Sequence, residues 1–180
     1  MAFKLLGVSG ALRKASTNTA LVRAAGELAG DDVAFTLADI DLPLYNGDVE
    51  DAGYPDAVVA FVEAIRAADA IVMSTPEYNK NLSGALKNAL DWQSRFSPGP
   101  LAGKPVAIMS ATAGAAGGQL AQFSLRHCLT PFGCNVLPQP QVHVGGNFSE
   151  DLFADGRLVD EKTRGYVEGL MAALRKTAGA

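Results

Sequence analysis

Ala70-Ile71-Val72-Met73-Ser74-Thr75-Pro76-Glu77-Tyr78-Asn79-Lys80-Asn81-Leu82-Ser83-Gly84 is the stretch on which the fold turns. Its opening is a near-continuous apolar run, the pattern of a strand covered on both faces in a parallel sheet. Pro76 then disfavours a helical residue before it and forces an extended exit from the strand. Ser83 has the chemistry of a helix N-cap, and a helix is expected from there to about Phe96. Strand, polar loop and helix in succession is the repeating step of an α/β domain.

The same step recurs on both sides of this stretch. Residues 3–8 read as a first strand, followed by a helix whose Ala20, Leu21, Ala24, Ala25 and Leu28 share one face. Val33 to Ala38 reads as a second strand. A loop with Pro43, Asn46, Gly47, Gly53 and Pro55 follows, and Val58, Phe61, Val62 and Ile65 then form a helical stripe. Downstream, Val106 to Ser110 is a fourth strand, and Leu120, Phe123, Ser124 and Cys128 mark the next helix. Asn135 to Leu137, with Gln141 to Val144 as an extension, supplies the fifth strand, and Lys162 to Arg175 a final helix. This pattern predicts a flavodoxin-like three-layer sandwich with a parallel sheet of order 2-1-3-4-5. The 180 residues are expected to form one domain over 1–180, without repeat or linker.

Composition narrows the function classes. A net charge of −4, without a basic stripe, argues against nucleic-acid binding. No segment reaches the ~18 to 20 apolar residues of a membrane span, and the N-terminal apolar stretch is too short for a signal peptide, so the expected location is cytoplasmic. Cys128 and Cys134 are the only cysteines; with His127 and His143 they lack metal-ligand spacing and are read as free thiols, so no metal is expected.

In an open parallel sheet of this order, a ligand sits beyond the carboxyl ends of the strands, where strand order reverses. That places the loops after strands one, three and four together. The first, Ser9-Gly10-Ala11-Leu12-Arg13-Lys14-Ala15-Ser16-Thr17-Asn18, runs into a helix N-terminus, where outward amides suit a phosphate and Arg13 and Lys14 add charge. The second carries Tyr78 among polar residues, where a flat heteroaromatic ring would lie. The third, Ser110 to Gly118, has almost no side chains, so its backbone can approach a ligand. An anionic pocket, an aromatic edge and a bare wall together fit a flavin mononucleotide.

Rival motifs fit less well. The spacing Gly7-x-x-Gly10 lacks the glycines of a dinucleotide fingerprint, although Asp39 ends the second strand where a ribose-binding acid would sit. Gly103-Lys104-Pro105 is not a P-loop. Gly7-Val8-Ser9-Gly10-Ala11 is one glycine short of a nucleophile elbow, which would enlist Ser9 with His127 or His143 as a hydrolase.

Three stretches carry a family resemblance: residues 9–18, Thr75-Pro76-Glu77-Tyr78-Asn79, and Gly84-Ala85-Leu86-Lys87-Asn88-Ala89-Leu90-Asp91-Trp92. The chain resembles the NADPH-dependent FMN reductases, in the branch containing quinone, chromate and azo-dye reductases, and the likeness runs from residue 3 to about 175. The resemblance implies that Ser9 and Ala11 through Asn18 hold the FMN phosphate, Leu12 and Thr17 included, with Arg13, Ser16 and Asn18 as the main side-chain donors. Pro76, Glu77, Tyr78 and Asn79 would line the isoalloxazine ring, and Ala111, Thr112 and Gly114 would face its pyrimidine end. It implies an enzyme that carries a hydride from NADPH or NADH through FMN to a small acceptor such as a quinone, free flavin, chromate or ferric chelate. No side chain is expected to act as catalytic acid, base or nucleophile; a non-enzymatic flavodoxin-type carrier is the alternative. Members form homodimers or homotetramers, and Ala85, Ala89 and Trp92 are expected to face a partner subunit, while Arg95 would bind acceptor or a nicotinamide phosphate. Ala11 stands where the family usually has serine, and Ser83 where proline is common.

Overall fold

Alternation along the strands sorts the core into two layers. In β1 (Phe3–Ser9), β3 (Ala70–Thr75) and β4 (Pro105–Ala111), side chains at odd and even positions leave opposite faces of the sheet. Phe3, Leu5, Val72, Ala107 and Met109 pack against α1 (Thr17–Leu28) and α6 (Glu161–Ala178). Leu6, Val8, Ile71, Met73, Val106 and Ile108 pack against α3 (Asp56–Ala67), α4 (Gly84–Gln93) and α5 (Gln119–Leu129). Every residue of β3 is buried, as the apolar run at 70–75 demands. The computed structural model describes residues 2–180.

With β2 (Val33–Leu37) and β5 (Asn135–Val136), the strands run parallel in the order β2-β1-β3-β4-β5, as the sequence pattern predicts. β5 pairs with Pro105 and Val106, and β6 (Val142–Val144) pairs with Met109 to Ala111 further along the same edge of β4. The fifth strand is thus interrupted, and Pro138 and Pro140 explain the gap because neither can donate to the ladder. No helix among the described residues is long and apolar enough to cross a membrane.

Elsewhere the structure departs from the sequence reading. The loop after β2 contains α2 (Gly47–Ala52), capped by Asn46 Oδ1 accepting from the Asp48 amide. It buries none of its residues, so no apolar stripe announced it. A hairpin of β7 (Phe153–Ala154) and β8 (Arg157–Leu158) was likewise unmarked. α5 stands where a helix is expected, but Leu120 and Phe123 are exposed, and Ala121, Gln122, Leu125 and Leu129 face the core. Gln122 turns inward because its Nε2 donates to Ser110 Oγ (2.9 Å) and the Val142 carbonyl (2.8 Å). In α4, Ala89 and Trp92 are fully buried within the chain, which corrects their expected place at a subunit boundary. Trp92 Nε1 donates to the Pro43 carbonyl at 2.7 Å, and its ring meets Tyr45 edge-on at 5.0 Å. Asn88 accepts from the Tyr45 amide and donates to Pro43 O, so the two residues clamp the loop after β2.

Candidate functional site

The chain leaves β1 and β3 side by side, with Ser9 in register with Ser74. Gly10 donates its amide to the Ser74 carbonyl at 2.7 Å. A Cβ there would lie 2.9 Å from Ser83 Oγ and 3.2 Å from Ser74 O, so only glycine lets the first loop cross the start of α4 this closely.

Ser16 caps α1: its Oγ accepts from the amides of Asn18 (3.2 Å) and Thr19 (3.4 Å). The amides of Ala11 through Ala15 and of Thr17 find no acceptor among the described residues. This is a loop of unpaired N–H groups at the positive end of a helix dipole, with Arg13 beside it. Asn18 is committed elsewhere. Its Nδ2 donates to the Ala111 carbonyl (2.9 Å), and its Oδ1 accepts from the Ala111 amide (3.0 Å) and the Ser74 hydroxyl (2.7 Å). The side-chain amide therefore continues the ladder beyond the end of β3 and ties the three loops together.

The second loop is a tight hairpin. Tyr78 and Asn81 exchange both backbone hydrogen bonds at 3.0 Å, and Asn79 and Lys80 have φ of 51° and 62°. Two central residues with positive φ form a type I′ turn, which suits asparagine and strains lysine. Asn79 thus sits at the hairpin tip, while Tyr78 stands 59% exposed at the cleft edge. Glu77 reaches across to α5, whose N-cap Gly118 has no side chain. Its Oε2 accepts from the amides of Leu120 (3.1 Å) and Ala121 (3.2 Å) and serves as the missing cap.

The third loop is bare for a different reason than the sequence suggests. A Cβ on Gly117 would lie 2.6 Å from the His143 carbonyl carbon, and one on Gly118 2.7 Å from Ser110 Cβ. These glycines admit neighbouring chain, whereas a Cβ on Gly114 would meet Thr112 Oγ1 only at 3.9 Å. Thr112 donates its amide to Val144 O and accepts from the Asn147 amide.

Between the loops lies a cleft of about 260 Å³, lined by Ala11, Arg13, Ala15, Ser16, Thr17, Asn18, Pro76, Glu77, Tyr78, Ala111, Thr112, Ala113, Asn147 and Phe148. Three sequence-distant loops converge as expected. Asn147 and Phe148 were missed, although Gly145-Gly146-Asn147 at the end of a strand marks the same end of the sheet. Ser9 and Leu12 face an adjoining groove with Thr19, Arg23 and Asp39, and Arg13 borders both. Ser9 Oγ is bonded to Thr19 Oγ1 at 2.8 Å and has no histidine partner among the described residues. His143 instead lies against Ser110 and Gln141, its basicity lowered by burial and by Arg126. Gly114 lies just outside the lining. Arg95 is also outside, its Nε donating to Glu50 at 3.0 and 3.2 Å. The Tyr45 hydroxyl and then Arg95 hold the Glu50 carboxyl below its ordinary range.

Residues 3–149 match the family model of the NADPH-dependent FMN reductases. The chain belongs to that family. It is 44% identical to an NAD(P)H-dependent FMN reductase of Pseudomonas aeruginosa over 174 residues, 96% of this chain and 93% of the relative. A quinone reductase of Pseudomonas putida is 39% identical over 166 residues, 91% of this chain and 88% of the other. Among solved structures, the flavoenzyme NAD(P)H:(acceptor) oxidoreductase of Paracoccus denitrificans superposes with a TM-score of 0.88 at 33% identity, covering 98% of this chain and 97% of that one.

The cleft of this family member fits FMN on its own geometry. Unpaired amides and Arg13 at the α1 N-terminus suit a phosphate dianion. Tyr78 and Pro76 offer a flat apolar edge for a ring system, and the buried Asn147 Oδ1 has no partner among the described residues.

Proposed function

We propose that residues 1–180 form one FMN-binding domain that oxidises NADPH or NADH and reduces a small acceptor, such as a quinone, free flavin, chromate or ferric chelate. The observation that carries this reading is a cleft at the reversal of strand order, joining a phosphate-type loop to an aromatic edge in a chain of the FMN reductase family. Bound FMN supplies the capacity to accept an electron pair from one partner and release it to another.

The chain's own residues bind and orient. The loop 11–18 holds the phosphate through its free amides, Arg13 and Ser16. Leu12 and Ser9 border the same loop from the adjoining groove. Asn18 contributes the staple that sets the loop's distance from Ala111. Pro76, Glu77 and Tyr78 form the ring-side edge, with Asn79 shaping the turn beyond them. Ala111, Thr112 and Gly114 form the opposing wall, whose main chain approaches a ring without side chains intervening. Among the described residues the titratable side chains lining the cleft are Arg13, Glu77 and Tyr78; Glu77 is engaged as a cap and Tyr78 stands at the exposed edge. Binding and electrostatics, not side-chain proton transfer, are therefore the protein's contribution.

The assembly is a homodimer or homotetramer. In support, the exposed apolar Leu120, Phe123 and Tyr78 lie on α5 and the hairpin docked on it, beside the cleft. Arg95 lies outside its own chain's cleft, so its role in acceptor or nicotinamide-phosphate binding belongs to the cleft of a second copy. A flavin spectrum of the purified protein that bleaches promptly on anaerobic NADPH or NADH, and recovers with added quinone, supports the reading. Flavin bands that persist with both donors favour an electron carrier. No uptake of added FMN rejects the cofactor.

A further inference from the structure

Asn147 enters the cleft from beyond the end of β6. It follows Gly145 and Gly146 beyond β6, and its amide donates to Thr112 O at 3.1 Å. Its side chain is 7% exposed. Nδ2 lies 2.6 Å from Thr17 Oγ1, and Oδ1 is buried with no donor among the described residues. That separation is below the usual ~2.7 to 3.2 Å of N–H···O bonds and within the ~2.5 to 3.0 Å of O–H···O bonds. Either end of the amide can serve Thr17: the hydroxyl donates to Oδ1, or it accepts from Nδ2.

A phosphate at the start of α1 decides between the two. Thr17 is the first residue of that helix, and its own amide is free. An anion there repels the Asn147 carbonyl oxygen and attracts the amide nitrogen. With Nδ2 donating to Thr17 Oγ1, the threonine hydroxyl hydrogen is released from the pair and available to a phosphate oxygen. We infer that Asn147 is a positioning residue that turns the Thr17 hydroxyl into a donor for the phosphate of the bound cofactor. This rests on the flavin reading above.

The test uses flavin-free protein titrated with FMN and with riboflavin, which lacks the phosphate, each followed by quenching of flavin fluorescence. Asn147→Leu keeps the volume and removes both polar ends. It is expected to weaken FMN about tenfold and riboflavin by less than about twofold, the loss of one charge-assisted hydrogen bond. Asn147→Asp, which only accepts and adds a negative charge, is expected to weaken FMN further. Thr17→Val should match Asn147→Leu, and the double variant should be no worse than either single one. Thermal melts of the flavin-free variants establish that each is folded, and Thr17→Val carries the test if the Asn147 variants do not fold. Equal losses for FMN and riboflavin, an unchanged FMN affinity, or additive single effects would overturn the inference while leaving the flavin site standing. Wild-type protein that binds neither flavin would overturn the flavin reading itself.

Discussion

Asn18 offers the sharpest test of how the site is held together. It is 3% exposed, and its amide satisfies the Ala111 N–H, the Ala111 C=O and the Ser74 hydroxyl. Asn18→Ala strands all three in the interior. Each orphaned polar group costs about 1 to 3 kcal/mol, and the serine hydroxyl can turn to another acceptor, so the two Ala111 groups left give an expected loss of about 2 to 6 kcal/mol. Against a total stability of about 5 to 15 kcal/mol, this is a large fraction. At about 2 to 4 °C per kcal/mol for a chain of this size, the melting temperature should fall by about 4 to 24 °C. Asn18→Asp keeps both accepted bonds but sets an oxygen where Nδ2 now lies 2.9 Å from the Ala111 carbonyl, and should also destabilise. Calorimetry and urea titration of the flavin-free protein measure the effect without cofactor linkage. If Asn18→Ala melts within about 1 kcal/mol of the wild type while its FMN affinity collapses, the amide is a ligand group and the staple argument is wrong.

Glu77→Ala removes the side chain that caps α5 and should cost about 1 to 2 kcal/mol in urea titration, with Glu77→Gln costing less because the acceptor survives. An unchanged midpoint for the alanine variant would deny the cap. Lys80→Gly should stabilise by about 0.5 to 1 kcal/mol, since relief of left-handed backbone strain exceeds glycine's extra unfolded entropy; a lower melting temperature would contradict the turn assignment. His143, whose proton affinity is lowered first by burial and then by Arg126, binds fewer protons folded than unfolded. Its contribution to stability is therefore complete at neutral pH and is lost as pH falls through the ordinary histidine value of ~6.5 towards its folded value. Urea midpoints measured from pH 8 to 5 should show that part of the decline flattened in His143→Gln.

Local patterns and chemistry made much of this protein legible in one dimension. The apolar run at 70–74, the helical stripes at 20–28 and 58–65, and the strand at 106–110 each encode burial by their own periodicity. Sheet order then followed from connection rules, and the site from where such sheets open. The loop at 11–18 could be read as a candidate phosphate site because a helix N-terminus is a local feature, with its donors adjacent in sequence. Long-range pairing set everything else. Gln122 faces inward because Ser110 and Val142 meet it there, against the apolar stripe of Leu120 and Phe123. Trp92 turns into its own chain because Pro43 supplies an acceptor forty-nine residues away. Glu77, Asn18 and Asn147 look like ligand residues or plain loop in sequence. In the fold their oxygens and nitrogens answer backbone groups and two hydroxyls brought from distant segments. Burial periodicity is a property of neighbours along the chain, whereas the partner of a buried polar group is chosen only when the chain has closed around it.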